Sequence, residues 1–426
     1  MRFATRRMIC RVAFVVLCVV PTVLSGGLAW LVHAPLYQAW YKSRWETALS
    51  TALGVDVAVR RIVRERGGRT VLFGVRLRNP EQQEPVATVR SIEIVSGAEW
   101  VVELNQCAVA RPAAAWLARR LHEHVFVSAH SLVGIHVHAR NLIFTSNAAP
   151  VCLLDLNCRL RCDKAGREAL IDFKMPDQAN ATSIRLRVVR NRQLDPPATG
   201  WELHTGTTPV PCEVAVSWLP GVARLGGDCE FAGSIWAEST RSGWNVQLDG
   251  TFRDADLDRL VTDSFPHKLT GAATIHIEHS VVRSGRLVAL TGTIETEGGV
   301  VSASLLRAAS AALQLHQRKQ TGTAMLLRYD KFGLKFALDA KNLTVEGIAN
   351  ARGAVMIDEA GVLLAVEQKH TVSPLALVRL LVPDNQLMVP ATKETATLVR
   401  ILPLPEIVPS DTSSARAAYA PLRLRR

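Results

Sequence analysis

Apolar and polar residues alternate with a period of two along most of this chain, the pattern of strands that bury one face. Val55, Val57 and Val59 alternate with Asp56, Ala58 and Arg60, and Val71, Phe73, Val75 and Leu77 alternate with Leu72, Gly74, Arg76 and Arg78. The same alternation returns at Ile184, Leu186 and Val188, at Trp244, Val246, Leu248 and Phe252, and at Ala273, Ile275 and Ile277. Gly and Pro clusters such as Gly67-Gly68, Pro196-Pro197, Pro220-Gly221 and Gly298-Gly299 punctuate the runs as turns. Strand following strand, without regular intervening helices, predicts antiparallel meanders.

Helical periods interrupt this pattern in few places. Pro35 to Leu53 reads as an amphipathic helix with Leu36, Trp40, Leu49 and Leu53 on one stripe and Gly54 as its stop. Shorter helices are predicted at Pro112 to His122, Ala303 to Gln317 and Ser373 to Leu381. At the start of the chain, Val12 to Val32 carries no charge and follows Arg2, Arg6, Arg7 and Arg11. That length matches the roughly 20 apolar residues of a membrane span, with the arginines on the cytoplasmic side. A cleaved signal ending near Val23-Leu24-Ser25 competes with an uncleaved anchor; the apolar run continues to Val32, which favours the anchor.

The expected fold is therefore mainly β. A long, bent, mostly antiparallel sheet, shaped as a groove or an elongated sandwich, carries a few short helices and one N-terminal transmembrane helix. The expected organisation is an n-region and anchor at 1–34, a linking helix at 35–54, β-rich regions at 55–240 and 241–400, and a Pro- and Arg-containing mobile tail at 401–426. The second β-rich region carries the helix at 303–317.

Composition narrows the partners. The 426 residues carry a formal net charge of +12, but the basic residues are dispersed along alternating segments, which describes solvated faces better than a nucleic-acid footprint. With an anchor present, anionic lipid headgroups at the inner membrane are the better match for that charge.

Candidate chemistry is sparse. Cys152, Cys158 and Cys162 would share one strand face with Leu154, Leu156 and Leu160. At about 3.3 Å per residue Cys158 and Cys162 would stand about 13 Å apart, beyond the roughly 7 Å reach of a disulfide. They read as small core residues. Cys212 and Cys229, flanking the Pro220-Gly221 turn region, are the disulfide candidates.

His122, His124, His130, His136 and His138 fall close together without a recognisable zinc spacing. Asp254, Asp256 and Asp258 resemble the start of a calcium loop, but Arg259 stands at the glycine position and Phe265 at the bidentate Glu position. The alternative is a helix start capped by Asp254 or Asp256. No nucleophile elbow, phosphate loop or dinucleotide fingerprint is present, so neither metal, cofactor nor enzymatic activity is expected.

Four stretches resemble the AsmA-like family of bacterial envelope proteins, which includes TamB-type and YdbH-type members. They are the anchor with the helix ending in Leu53-Gly54-Val55-Asp56-Val57, the pair Arg69 to Leu77 and Val86 to Ile94, the run Leu248-Asp249-Gly250-Thr251-Phe252 through Leu269-Thr270-Gly271, and Leu290-Thr291-Gly292-Thr293-Ile294-Glu295 leading to Gly298-Gly299.

The resemblance implies likeness to bridge-like lipid-transfer proteins, whose bent sheets form an apolar-lined groove. It implies a single-pass inner-membrane protein with a cytoplasmic N-terminus and a periplasmic body. That body would handle phospholipid or another acyl lipid, or assist outer-envelope assembly, with envelope proteins as partners and without nucleic acid. Groove-lining candidates are Val71, Phe73, Val75, Leu77, Trp244, Val246, Leu248, Ile275 and Ile277. The competing expectation is a membrane-tethered structural or interaction protein whose strands close around an ordinary core.

Overall fold

The computed structural model describes residues 13–25, 35–65, 67–80, 84–97, 99–127, 134–145, 150–163, 166–176, 183–214, 220–263, 265–318, 325–366, 370–381 and 401–402. The protein is mainly β, with mostly antiparallel strands and few helices. The chain forms two compact units, Met1–Val210 with Val214–Pro220, and Pro211–Glu213 with Gly221–Arg426.

Among the described residues no helix is long and apolar enough to cross a membrane. Of the predicted span, 13–25 is helical with a π turn at Val15–Val19, and Phe14, Val16, Leu17, Val23 and Leu24 are exposed on it. The rest of Val12 to Val32 lies outside the described residues, as do His130 and 403–426 of the expected tail.

In the first unit, helix α1 (Pro35–Leu53) is followed by strands β1 (Asp56–Ala58), β2 (Arg61–Arg64), β3 (Arg69–Arg78), β4 (Pro85–Val95) and β5 (Trp100–Ala110). Helix α2 (Arg111–Leu121) continues through a π turn at His122–Val127, and β6 (Ile135–Thr145), β7 (Val151–Cys162), β8 (Gly166–Lys174), β9 (Ile184–Asn191) and β10 (Ala198–His204) complete the unit. Helix α2 carries the chain back along the sheet, so β5 and β6 run parallel while the pairs from β6 to β10 are antiparallel.

Helix α1 stops where Gly54 takes φ +69, a left-handed conformation that glycine adopts without steric cost. Its buried stripe is Trp45, Leu49 and Leu53, one turn apart, packed on the core of Val55, Val57, Val59, Leu72 and Val75. Trp40, expected on that stripe, is exposed and stacks beneath the Arg44 guanidinium. Two α1 side chains reach the edge strand: Glu46 Oε1 accepts from Val59 N at 2.7 Å and Ser50 Oγ from Val57 N at 2.9 Å.

A crease crosses the sheet from the β1–β2 junction to β7 and inverts the face on which odd and even residues lie. Along β3, Val75 and Leu77 face the core on one side of the crease and Leu72 on the other. Gly74, at φ +62, occupies the crease. The partners follow in register: Val75 with Val89, which faces Cys107, and Leu72 with Ile92, which faces Leu104. Gln106, at φ +51, takes the same row on β5, and Asp155, at φ +49, takes the adjoining row on β7, so every second strand carries a left-handed residue. From β3 to β7 the inversion falls at matched or adjoining positions, so pairing is preserved while the faces swap, and the register shifts only between β7 and β8, at Leu154–Asn157.

The second unit starts beside the short strand β11 (Val210–Pro211), which straddles the division of the chain. It contains β12 (Glu230–Thr240), β13 (Gly243–Asp256), β14 (Ala272–Arg283), β15 (Arg286–Ser302), α3 (Ala303–Leu313), β16 (His316–Gln317), β17 (Leu326–Leu338), β18 (Leu343–Gly347), β19 (Ala354–Asp358), β20 (Gly361–Ala365), β21 (His370–Val372) and α4 (Leu375–Leu381). Strands β12, β13, β14, β15, β17 and β18 pair in that order, all antiparallel. Its core centres on Val301, Leu306, Tyr329 and Leu363, each at most 2% exposed.

Helix α3 begins at Ser302, whose Oγ accepts from Leu305 N at 3.3 Å. It ends at Gln314, φ +54, rather than at Gln317, and His316 and Gln317 pair with β20 instead. Asp256, one of the two residues expected to cap a helical turn, accepts from Asp258 N at 2.9 Å and Arg259 N at 3.4 Å at the entry to a π turn over Asp258–Thr262.

Candidate functional site

The expected groove residues separate into three environments. Val75 and Leu77 belong to the sealed core beneath α1 and α2. Val71 is buried outside that cluster, and Phe73 is 39% exposed on the opposite face. Their expected shared face is incorrect, because the left-handed Gly74 inserts one extra residue between Leu72 and Val75. These four residues do not form one lining.

Trp244, Val246, Leu248, Ile275 and Ile277 do share a face. Register aligns Phe231, Phe252, Ile275, Ile294 and Leu334 across five strands, and the rings of Phe231 and Phe252 stand 4.9 Å apart. The next row is Gly233, Gly250, Ile277, Gly292 and Phe336. Beyond it come Ile235, Leu248, Ser280, Leu290 and Leu338, then Ala237, Val246, Val282 and Leu287, with Trp244 at the hairpin end.

Three glycines in one apolar row form a trough. A Cβ on Gly233 would stand 2.3 Å from Asp249 O, on Gly250 2.5 Å from Ala232 O, and on Gly292 2.3 Å from His276 O, so the backbones approach too closely for any side chain. Phe231 reaches over Gly250 and Phe336 over Gly292, with ring atoms 2.8 and 3.2 Å from the respective Cβ positions. The aromatics therefore supply apolar surface that the glycines cannot.

Burial declines along this face. Leu338 is buried, and Ile275, Leu287, Leu290, Ile294 and Leu334 pack against the core that includes α3. Val246 and Leu248 are only half-buried and Trp244 is 48% exposed. The opposite face is polar where Thr251 is hydrogen-bonded to His276 at 2.9 Å and Lys335 is paired with Glu278 at 3.4 Å, and carries Trp236 and the buried Val281 nearer the hairpin. The β12–β13 end thus presents a half-exposed aliphatic and tryptophan surface.

The two disulfide candidates meet. Cys212 and Cys229 are buried, their sulfurs stand 3.2 Å apart as thiols, and Cys212 N donates to Cys229 O at 2.8 Å. The shared hydrogen bond pushes the Cys212 thiol up and holds Cys229 down. Cys158 is pushed up to about 11 by burial, which keeps it protonated and inert at neutral pH. Cys158, Leu160 and Cys162 share a face as expected, but Leu153 takes the buried position before Asp155 because the crease inverts that strand too.

Among the described residues no three His, Cys, Asp or Glu side chains are grouped to hold a metal ion. His136 instead pairs with Asn157 Oδ1 at 2.6 Å, and His122 stacks on Phe126 and near Trp201 at 5.5 and 5.7 Å between centroids. Sequence reasoning missed the glycine trough, whose signal is Gly233, Gly250 and Gly292 falling on the apolar parity of β12, β13 and β15. No family model, curated protein or solved structure matches this chain.

Proposed function

We propose that this chain is a membrane-tethered lipid-handling protein of the AsmA-like kind, acting at the inner membrane with its β body on the periplasmic side. The observation that carries the reading is the half-exposed apolar face of β12 and β13, where Trp244, Val246 and Leu248 lie beside the glycine trough. An acyl chain laid there would gain about 0.8 kcal/mol for each CH₂ removed from water. Trp244, amphipathic and at the hairpin end, suits the boundary between chain and headgroup. The exposed apolar helical stretch at 13–25 supports tethering.

The sealed packing of Val75 and Leu77 beneath α1 and α2 favours the second reading, a closed core, for the first unit. The lipid surface is accordingly assigned to the second unit alone. A photoreactive residue at position 244 in the full chain, expressed in a bacterial envelope, tests this assignment. Lipid adducts at 244, with none at 73 in the first unit, are expected. Equal labelling at both positions, or none at 244 together with no co-purifying lipid, would refute it.

A further inference from the structure

The apolar face of the first unit ends in a row of arginines. Strand register places Cys158, Ile171, Leu186 and Leu203 in one row, then Leu160, Ala169, Val188 and Trp201, and then Cys162, Arg167, Arg190 and Thr199. Arg167 and Arg190 are direct cross-strand partners. Like charges placed opposite each other in a sheet oppose folding. On the other face of the same strands the rule is obeyed, with Arg185 beside Asp172 at 2.9 Å and Arg187 beside Glu168 at 2.6 Å.

Arg192, just past β9, joins the pair. Its guanidinium donates to Phe126 O at 3.3 Å, Arg167 donates to Val125 O, and Arg190 donates to Thr199 Oγ1 at 2.7 Å. The first two bonds satisfy carbonyls in the last turn of the α2 extension, where positive charge is favoured. Arg167 is 96% buried by side-chain packing, at 4% exposure. Burial, and then the charge of Arg192, holds both Arg167 and Arg190 below the usual guanidinium pKa.

A further polar group lies close enough to Arg190 to interact with its charge. His122 Nε2 is buried with no hydrogen-bond partner among the described residues, and the ring feels the charge of Arg190. The nearby carboxylates are Glu123, which acts on His122, and Asp163, which acts on Cys162. Local rules of pairing and satisfaction are broken together here, which is the mark of a functional site.

We propose that Arg167, Arg190, Arg192 and His122 form a binding site for a phosphate group. The guanidinium forks of the cross-strand pair and of Arg192 are charge-assisted donors in one neighbourhood, with the His122 ring beside Arg190, and a phosphate dianion or diester anion would relieve the repulsion between the paired arginines. The chemistry is the same whether the phosphate sits on a soluble ester or on a lipid headgroup. The proposal does not rest on the lipid surface assigned to the second unit.

Arg190→Gln is the test, because it removes one of two opposed cations and leaves the carbonyl-capping arginines in place. The purified full chain and the variant are melted with inorganic phosphate or glycerol phosphate against chloride at equal ionic strength, and mixed with phosphatidylglycerol or phosphatidylcholine vesicles. Without phosphate the variant is expected to melt at the same temperature or higher. The phosphate concentration needed to stabilise it should rise about tenfold or more over the parent.

A response to soluble phosphate lost in the variant identifies a free ester as ligand. Selective binding to phosphatidylglycerol vesicles lost in the variant, without a response to soluble phosphate, identifies a headgroup. Parent and variant behaving alike in both arms overturns the proposal and leaves the arginines as helix caps only.

Discussion

Gly74 sets the crease of the first unit, and replacing it by alanine isolates what that crease costs to build. At φ +62 an L-residue loses about 1–2 kcal/mol relative to glycine. The new Cβ would also stand 2.9 Å from the Arg60 Cβ, a backbone-anchored atom that moves only with its strand. Overpacking of this kind adds about 1 kcal/mol or more, so Gly74→Ala should destabilise the unit by about 2–3 kcal/mol. Gly67→Ala provides the conformational cost alone, since Gly67 has φ +84 with nothing within 4 Å of its Cβ position.

Equilibrium urea unfolding followed by tryptophan fluorescence reads both, through Trp45 and Trp116 in the core below α1 and α2. Adding Arg60→Gly should recover the contact part of the loss in a double-mutant cycle and leave the conformational part. A Gly74→Ala chain no less stable than Gly67→Ala, or one that Arg60→Gly does not rescue, would refute the account of the crease.

Three further outcomes follow from particular residues. Trp244→Ala should change stability by less than about 1 kcal/mol, since the ring is 48% exposed, while reducing lipid recovered with the chain; a large loss of stability would place Trp244 in a closed core. Cys212 and Cys229 should form a disulfide by exchange with a disulfide-carrying oxidant, reducing it to two thiols, so peptide mapping without reductant should find the two segments joined; separate, alkylatable thiols after oxidant exposure would contradict the pairing. His267 is buried, bonded to Ser304 Oγ at 3.1 Å, and burial holds its ring below the usual imidazole value. The unfolded chain then takes up the proton first, so stability should fall as pH drops below about 6.5; urea midpoints between pH 7 and 5 should slope less in His267→Gln, and an unchanged slope would remove His267 as the cause.

Much of the secondary structure was legible because two-residue alternation survives in nearly every strand, and because Pro35 and Gly54 bound the first helix. The faces were less legible. A single inserted residue at Gly74, Gln106 or Asp155 inverts every later position of its strand, and a reading that extends one parity through it places Phe73 and Val75 together. Gly74 is conspicuous in a sequence, but Gln106 and Asp155 are not.

The parallel pair β5–β6 was hidden for another reason: it depends on the direction in which α2 returns the chain. The groove candidates of the second unit fared differently. Trp244, Val246 and Leu248 share a face with Ile275 and Ile277 because the register shift between Leu248 and Gly250 adds its extra residue to β14, beyond Ile277, and leaves the parity of β13 unbroken. The arginine row escaped notice because Arg167 and Arg190 sit at apolar parity, where charge reads as a break in the strand.

The side chains of Glu46 and Ser50 have a consequence for self-association. A sheet ending at β1 would expose the N–H groups of Val57 and Val59 as a template on which a second chain could add a strand. Both donors are occupied from within the same molecule by the preceding helix. The unit thereby terminates its own hydrogen-bond ladder, and a chain lacking those two acceptors should polymerise through that margin under conditions in which the parent stays dispersed.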